Sequence, residues 1–163
     1  MFKNLFNKGK KVIEEEVVLA PLSGELVDLS EVPDPTFSEK MMGDGVAIKP
    51  TNGEVVSPVN GKVVQLFPTK HAIGIESEAG VEYLIHIGLE TVALNGEGFE
   101  AHVKQGDKVS VGDLLITVDL NVVSEKAADT ITPIVITNEV TTLNRQSVTA
   151  VTKGETEILK VKK

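Results

Sequence analysis

Residues 67–90 read FPTKHAIGIESEAGVEYLIHIGLE, and the fold turns on how this stretch is folded back on itself. Two apolar, β-branched runs, 71–76 and 81–87, flank a polar stretch, 77–80, that ends in Gly80. Short runs of that kind around a few turn residues are the signal of an antiparallel hairpin. With 77–80 as the loop, Glu76 faces Val81 and opposed residue numbers sum to 157, which also sets His71 against His86. The hairpin predicts two imidazoles directly across from each other on one face, with Cβ atoms roughly 4.5–5.5 Å apart. Such a pair can share a phosphoryl group, a metal ion or a water.

Outward from the hairpin the chain keeps the same texture. Residues 17–20, 26–29, 46–48, 55–56 and 62–67 are short apolar runs bounded by Pro, Gly, Asn or Asp. After the hairpin, 101–103, 114–118, 133–137, 147–151 and 157–161 repeat the pattern, and only 121–129 reads as a short helix. Many short strands at regular spacing predict an all-β sandwich or barrel with little helix. A phrase recurs 37 residues on: APLSGELV at 20–27 and SPVNGKVV at 57–64 share the order small, Pro, apolar, polar, Gly, charged, apolar, Val. That repeat points to a duplicated β motif.

Composition narrows the chemistry. At 163 residues the chain suits one domain able to bury about two-thirds of its unfolded surface. It has no cysteine and no tryptophan, so Val, Ile, Leu and Thr fill the core, and disulfides, thiol catalysis and cysteine-ligated zinc are excluded. No apolar run reaches the roughly 20 residues needed to span a bilayer, and the start lacks a signal peptide, so a cytoplasmic protein is expected. Net charge is −8, yet residues 1–12 carry Lys3, Lys8, Lys10 and Lys11 with no acid, leaving −12 on the rest. An acidic body argues against nucleic acid and for a basic partner protein. In 1–12 the apolar Met1, Phe2, Leu5 and Phe6 recur at helical spacing, a pattern able to lie on an anionic membrane surface, peripheral to its inner face. The domain organisation expected is therefore 1–16, a basic amphipathic segment with an acidic linker, and 17–163, the β domain.

Phe67 and Thr69 share strand parity with His71, and Leu84 shares it with His86, so the pair sits in an apolar setting with one hydroxyl nearby. Desolvation disfavours imidazolium and keeps both rings neutral and nucleophilic near pH 7. One ring nitrogen can then attack phosphorus while the other histidine donates a hydrogen bond to the moving oxygens. His102, among Glu100, Lys104 and Gln105, reads as a solvated surface residue. Gly43-Asp44-Gly45 reads as a turn, since no lysine and Ser/Thr follow as in a phosphate loop.

Several phrases together resemble one family. They are APLSGE (20–25), VPD (32–34), FSEK (37–40), GDG (43–45), TKHA (69–72), HIGLETV (86–92), GEGF (96–99) and TPIVITN (132–138). The chain resembles the glucose-specific enzyme IIA family of the bacterial phosphoenolpyruvate:sugar phosphotransferase system over about residues 17–163. The resemblance implies an antiparallel β-sandwich of barrel-sandwich hybrid character and a shallow apolar active site. It implies that His86 is the phosphorylated nucleophile, that His71 stabilises the phosphoryl group and that Thr69 orients His71. Phe37, Met42, Phe67 and Ile87 match positions around the depression where partners dock, and Asp34 and Glu90 match acidic positions beside the histidines. Glu90 stands where the family more often has Asp. The implied partners are the histidine-containing phosphocarrier protein, the IIB domain of a glucose-type sugar permease and regulatory targets. No cofactor is required, with zinc at His71 and His86 as a secondary ligand.

Two rivals follow from the same residues. A zinc-dependent hydrolase would use His71 and His86 with Asp34 or Glu90, although the short His-x-His or His-x-x-x-Asp spacing is absent. A biotinyl- or lipoyl-type carrier domain would use the lysine of EKMM at 39–42, but such domains are about half this length and need no histidine pair.

Overall fold

Alternation along the strands decides which side of a sheet each residue faces, and here both sides of the central strands are apolar. The computed structural model describes residues 15–163. The basic segment 1–12 expected to meet a membrane lies outside the described residues. In chain order the elements are β1 (Glu16–Leu19), β2 (Gly24–Asp28), a 3-10 turn (Leu29–Glu31), α1 (Pro35–Ser38), β3 (Asp44–Pro50), β4 (Glu54–Val56), β5 (Gly61–Leu66), β6 (Ala72–Ser77) and β7 (Glu82–His86). A second 3-10 turn (Thr91–Leu94) precedes β8 (Phe99–Ala101), β9 (Lys108–Val109), β10 (Leu114–Val118), α2 (Leu120–Lys126), β11 (Thr132–Ile136), β12 (Thr142–Arg145), β13 (Ala150–Val151) and β14 (Glu157–Lys162).

One eight-stranded antiparallel sheet runs β13-β2-β3-β11-β7-β6-β5-β9, and two three-stranded sheets, β1-β14-β12 and β4-β10-β8, complete the sandwich. The main core takes Val46 and Ile48 of β3, Ile73 and Ile75 of β6, Tyr83 and Ile85 of β7 and Ile134 and Ile136 of β11, with Leu115, Ile116, Ile158 and Leu159 of the smaller sheets. Alternate residues of the same strands, Ala47, Ala72, Leu84 and Val135, form a second cluster on the far face, where Leu29, Val32 and Phe37 cover them. Phe37 of that second cluster, and Phe67 packed against it, meet the rings of His86 and His71.

The repeated phrase marks a structural duplication. Leu19 N–H donates to the Pro58 carbonyl at 3.1 Å, and Val56 N–H, 37 residues on from Leu19, donates to the Pro21 carbonyl at 2.9 Å. Likewise Gly154 N–H reaches the Ala20 carbonyl and Gly112 N–H the Ser57 carbonyl. Gly24 and Gly61 open the matching strands β2 and β5, and at either one a Cβ would stand 2.1 Å from a facing carbonyl oxygen, so neither position has room for a side chain.

Three expectations change. Glu16, expected in the acidic linker, is the first residue of β1, paired with Val161 and accepting the Tyr83 hydroxyl at 2.6 Å. β9 and β12, of two and four residues, stand beyond the expected strands, and α1 forms where Asp34 caps and Pro35 starts a turn. The hairpin register is shifted by one. Ser77 stays in β6, its N–H donating to the Val81 carbonyl at 2.8 Å and its Oγ accepting from Val81 N–H at 3.1 Å. The loop thus shrinks to three residues with Gly80 at φ 90°, and Ala72, not His71, faces His86.

Candidate functional site

The shifted register should send His71 to the face opposite His86, since one step along a strand inverts the side chain. The rings meet all the same. Lys70, with φ 62°, turns the chain left-handed immediately before His71, which precedes β6 and lies outside its pleat. The backbone of His71 still closes the ladder, its carbonyl accepting from Ile87 N–H at 2.7 Å, while its ring swings to the His86 side. The ring centroids are 5.0 Å apart with the planes at 80°. The expectation of direct opposition is corrected, and the expected juxtaposition stands.

Each imidazole has one nitrogen committed. Thr69 Oγ1 lies 2.5 Å from His71 Nδ1, and the Gly88 carbonyl lies 2.8 Å from His86 Nδ1. A carbonyl only accepts, so His86 Nδ1 carries the proton, and in the neutral ring Nε2 holds the free lone pair. Burial, and then the charge of His86, lower the His71 pKa to about 4. Burial also lowers that of His86, against the Gly88 carbonyl and the Asp34 carboxylate, which favour its cation. Both rings are neutral at pH 7.

Phe37 of α1 packs on His86 with centroids 5.0 Å apart, and Phe67 meets His71 edge-on at 5.3 Å. α1 is held by Asp34, whose Oδ1 accepts from Thr36 N–H at 3.0 Å, so one carboxylate both caps the helix and sits near His86. Phe37, at 3 % exposed, is the floor of the site, whereas Met42 is exposed and Phe67 half-buried. Ile87 belongs elsewhere. It alternates with His86 into the main core at 1 % exposure, which corrects the expectation that it borders the depression. Glu90 is exposed in the left-handed region at φ 60°. Sequence reasoning missed the Gly88 carbonyl, which as a backbone group leaves no mark in the sequence. His102 is exposed as expected, with Nε2 2.7 Å from Thr117 Oγ1.

The rivals find no support. Among the described residues no group of three or more His, Cys, Asp or Glu comes together to hold a metal ion, so neither a zinc hydrolase nor zinc at the pair gains ground. Lys40 ends α1 with its Nζ 3.6 Å from Asp44 Oδ1, rather than standing at a hairpin tip as a carrier lysine would. Among the described residues no helix is long and apolar enough to cross a membrane.

Comparison with known proteins gives the same direction. Residues 16–142 match the family model described as phosphoenolpyruvate-dependent sugar phosphotransferase system, EIIA 1. The chain is 57% identical to the PTS system glucose-specific EIIA component of Bacillus cereus, covering 99% of this chain and 98% of that one. It is 54% identical to the protein of the same name from Halalkalibacterium halodurans, with the same coverage. Among solved structures, the glucose permease IIA from Mycoplasma capricolum superposes with a TM-score of 0.86 at 44% identity, over 90% of this chain and 96% of that one. A histidine pair packed against Phe37 and Phe67 on a β-sandwich, in a chain matched over nearly its whole length by these relatives, makes this chain a member of the EIIA 1 family of the phosphoenolpyruvate-dependent sugar phosphotransferase system.

Proposed function

We propose that the protein takes a phosphoryl group from the histidine-containing phosphocarrier protein onto His86 and passes it to a cysteine on the IIB domain of a glucose-type sugar permease. The observation that carries this reading is the Gly88 carbonyl on His86 Nδ1, which leaves the Nε2 lone pair free in a neutral ring. In acceptance, Nε2 forms a bond to phosphorus as the donor's P–N bond breaks, and the donor imidazole leaves with its electron pair. In transfer, a thiolate forms a P–S bond and His86 leaves as neutral imidazole. His71, with Thr69 donating to Nδ1, keeps its proton on Nε2 and offers it to the phosphoryl oxygens, a bond that matters most in the transition state.

Met41, at 70 % exposed, Met42 and Val92 are exposed apolar residues close in sequence to Phe37 and His86 and would offer two different partners an adaptable surface, with Asp34 and Glu90 adding acid for basic ones. The relatives' names support glucose as the sugar class. The reading places the protein in the cytoplasm, with residues 1–12 touching the inner face of the membrane and 17–163 forming the working domain. Regulatory targets of the unphosphorylated form would use the same surface. The roles are tested by a radiolabelled transfer series. His86→Gln is expected to take up no label. His71→Gln is expected to take up label but to transfer it about 10²–10³ more slowly, the usual cost of one transition-state donor. Uptake by His86→Gln and none by His71→Gln would reverse the assignment.

A further inference from the structure

The peptide unit that orients His86 is gripped from its other end. The Gly88 carbonyl meets His86 Nδ1, and the same peptide plane carries the Leu89 N–H, which donates to the Asp129 carbonyl at 2.9 Å. The flanking groups are also held. Ile87 N–H donates to the His71 carbonyl, and Ala128 N–H donates to the Leu89 carbonyl at 3.2 Å. Among the described residues, one side chain besides that of His86 enters this set. Thr91 Oγ1, on a fully buried residue, donates to the Ile87 carbonyl at 2.8 Å. There is no slack at Gly88, where φ is 76° and a Cβ would fall 2.8 Å from Thr91 Cγ2 and 2.9 Å from the Asp129 carbonyl oxygen.

We propose that Thr91 is a positioning residue for His86: by holding the Ile87 carbonyl it fixes the turn of the backbone through Gly88, aims the Gly88 carbonyl at Nδ1 and so locks the imidazole tautomer that leaves Nε2 free. The inference rests on His86 being the phosphoryl acceptor. Hydrogen bonds in series polarise one another, so the Asp129 carbonyl, acting through the Leu89 peptide, makes the Gly88 oxygen a better acceptor than an isolated carbonyl. As the P–N bond forms, positive charge develops on the ring and the Nδ1–H bond to that oxygen strengthens. The clamp therefore orients the free ring and stabilises the charged one. A rotated Gly88 carbonyl would let the proton move to Nε2, where no lone pair remains to attack.

The test uses the full chain, nitrogen-15 labelled, with two readouts: the His86 tautomer from long-range nitrogen–proton spectra, and the rate of phosphoryl acceptance from the phosphorylated carrier protein. Thr91→Val removes only the hydroxyl donor. Thr91→Ser and Thr91→Ala both lack the methyl and differ only in the hydroxyl, so they decide the matter if Thr91→Val does not fold. Thr91→Val and Thr91→Ala are expected to show mixed tautomers and acceptance slowed about 10–100-fold, as for outer partners that orient metal-bound histidines. Thr91→Ser is expected to restore the Nδ1–H signature and most of the rate. Unchanged tautomer and rate in Thr91→Val or Thr91→Ala, or a Thr91→Ser as impaired as Thr91→Ala, would overturn the proposal. A wild-type protein with the Nδ1–H tautomer but no phosphate at His86 would instead overturn the acceptor reading, and the tautomer comparison alone would then judge Thr91.

Discussion

At the scale of single residues, burial makes the histidine pair sensitive to acid. His71 titrates near 4 in the folded chain against 6.5 for an ordinary imidazole, so between those values the unfolded chain binds a proton that the folded one does not. Stability then rises with pH across that window: the contribution is full above 6.5 and is lost as pH falls towards 4. The loss amounts to about 3 kcal/mol. His71→Gln, neutral throughout, is expected to lose less stability than wild type between pH 7 and pH 4, measured by urea unfolding at each pH. Equal losses would contradict the lowered pKa. The two histidines were legible in the sequence because apolar strands rarely carry imidazole, and only three histidines compete for the role. Which nitrogen of each ring is free was not legible, because a backbone carbonyl, Gly88, decides it for His86.

At the scale of elements, the hairpin register shows what periodicity misses. Ser77 looks like a loop residue by type, yet two hydrogen bonds to Val81 keep it in β6 and move every pair by one. His71 was then returned to the site by the left-handed turn at Lys70, which no apolar pattern encodes. Lys40 is a similar case. Met41 N–H donates to the Thr36 carbonyl and Lys40 N–H to the Phe37 carbonyl, closing α1 with Lys40 at the left-handed position where glycine is the usual choice. Lys40, Lys70 and Glu90, all with positive φ, follow Phe37, precede His71 and follow His86 within a few residues, where a site can over-determine its backbone. Lys40→Gly relieves one of these and loses only an exposed ion pair to Asp44. It is expected to raise stability by roughly 0.5–1 kcal/mol in urea unfolding, net of the entropy that glycine adds to the unfolded chain. A lower midpoint would show that the lysine side chain does more than tolerate its conformation.

At the scale of the molecule, the all-β class and the duplication could be read from turn-bounded runs and one repeated phrase, while the strand order could not. Sheet order depends on long-range pairing, and strands as short as β9 and β12 give no periodic signal. Charge asymmetry was legible throughout: +4 on residues 1–12 against an acidic remainder. Deleting 1–12 is expected to leave phosphorylation of His86 intact and to weaken binding to anionic vesicles, read by sedimentation, with equal sedimentation counting against a membrane role. On the proposed function, His86 carries the phosphoryl group on a site shaped by Gly88 and His71. The most direct test incubates the chain with phosphoenolpyruvate, enzyme I and the carrier protein, and then maps the phosphate by mass spectrometry under conditions that preserve phosphohistidine. One phosphoryl group is expected on the peptide containing His86, absent from His86→Gln and present in His71→Gln. Phosphate on His71, or on neither histidine, would contradict the proposed function.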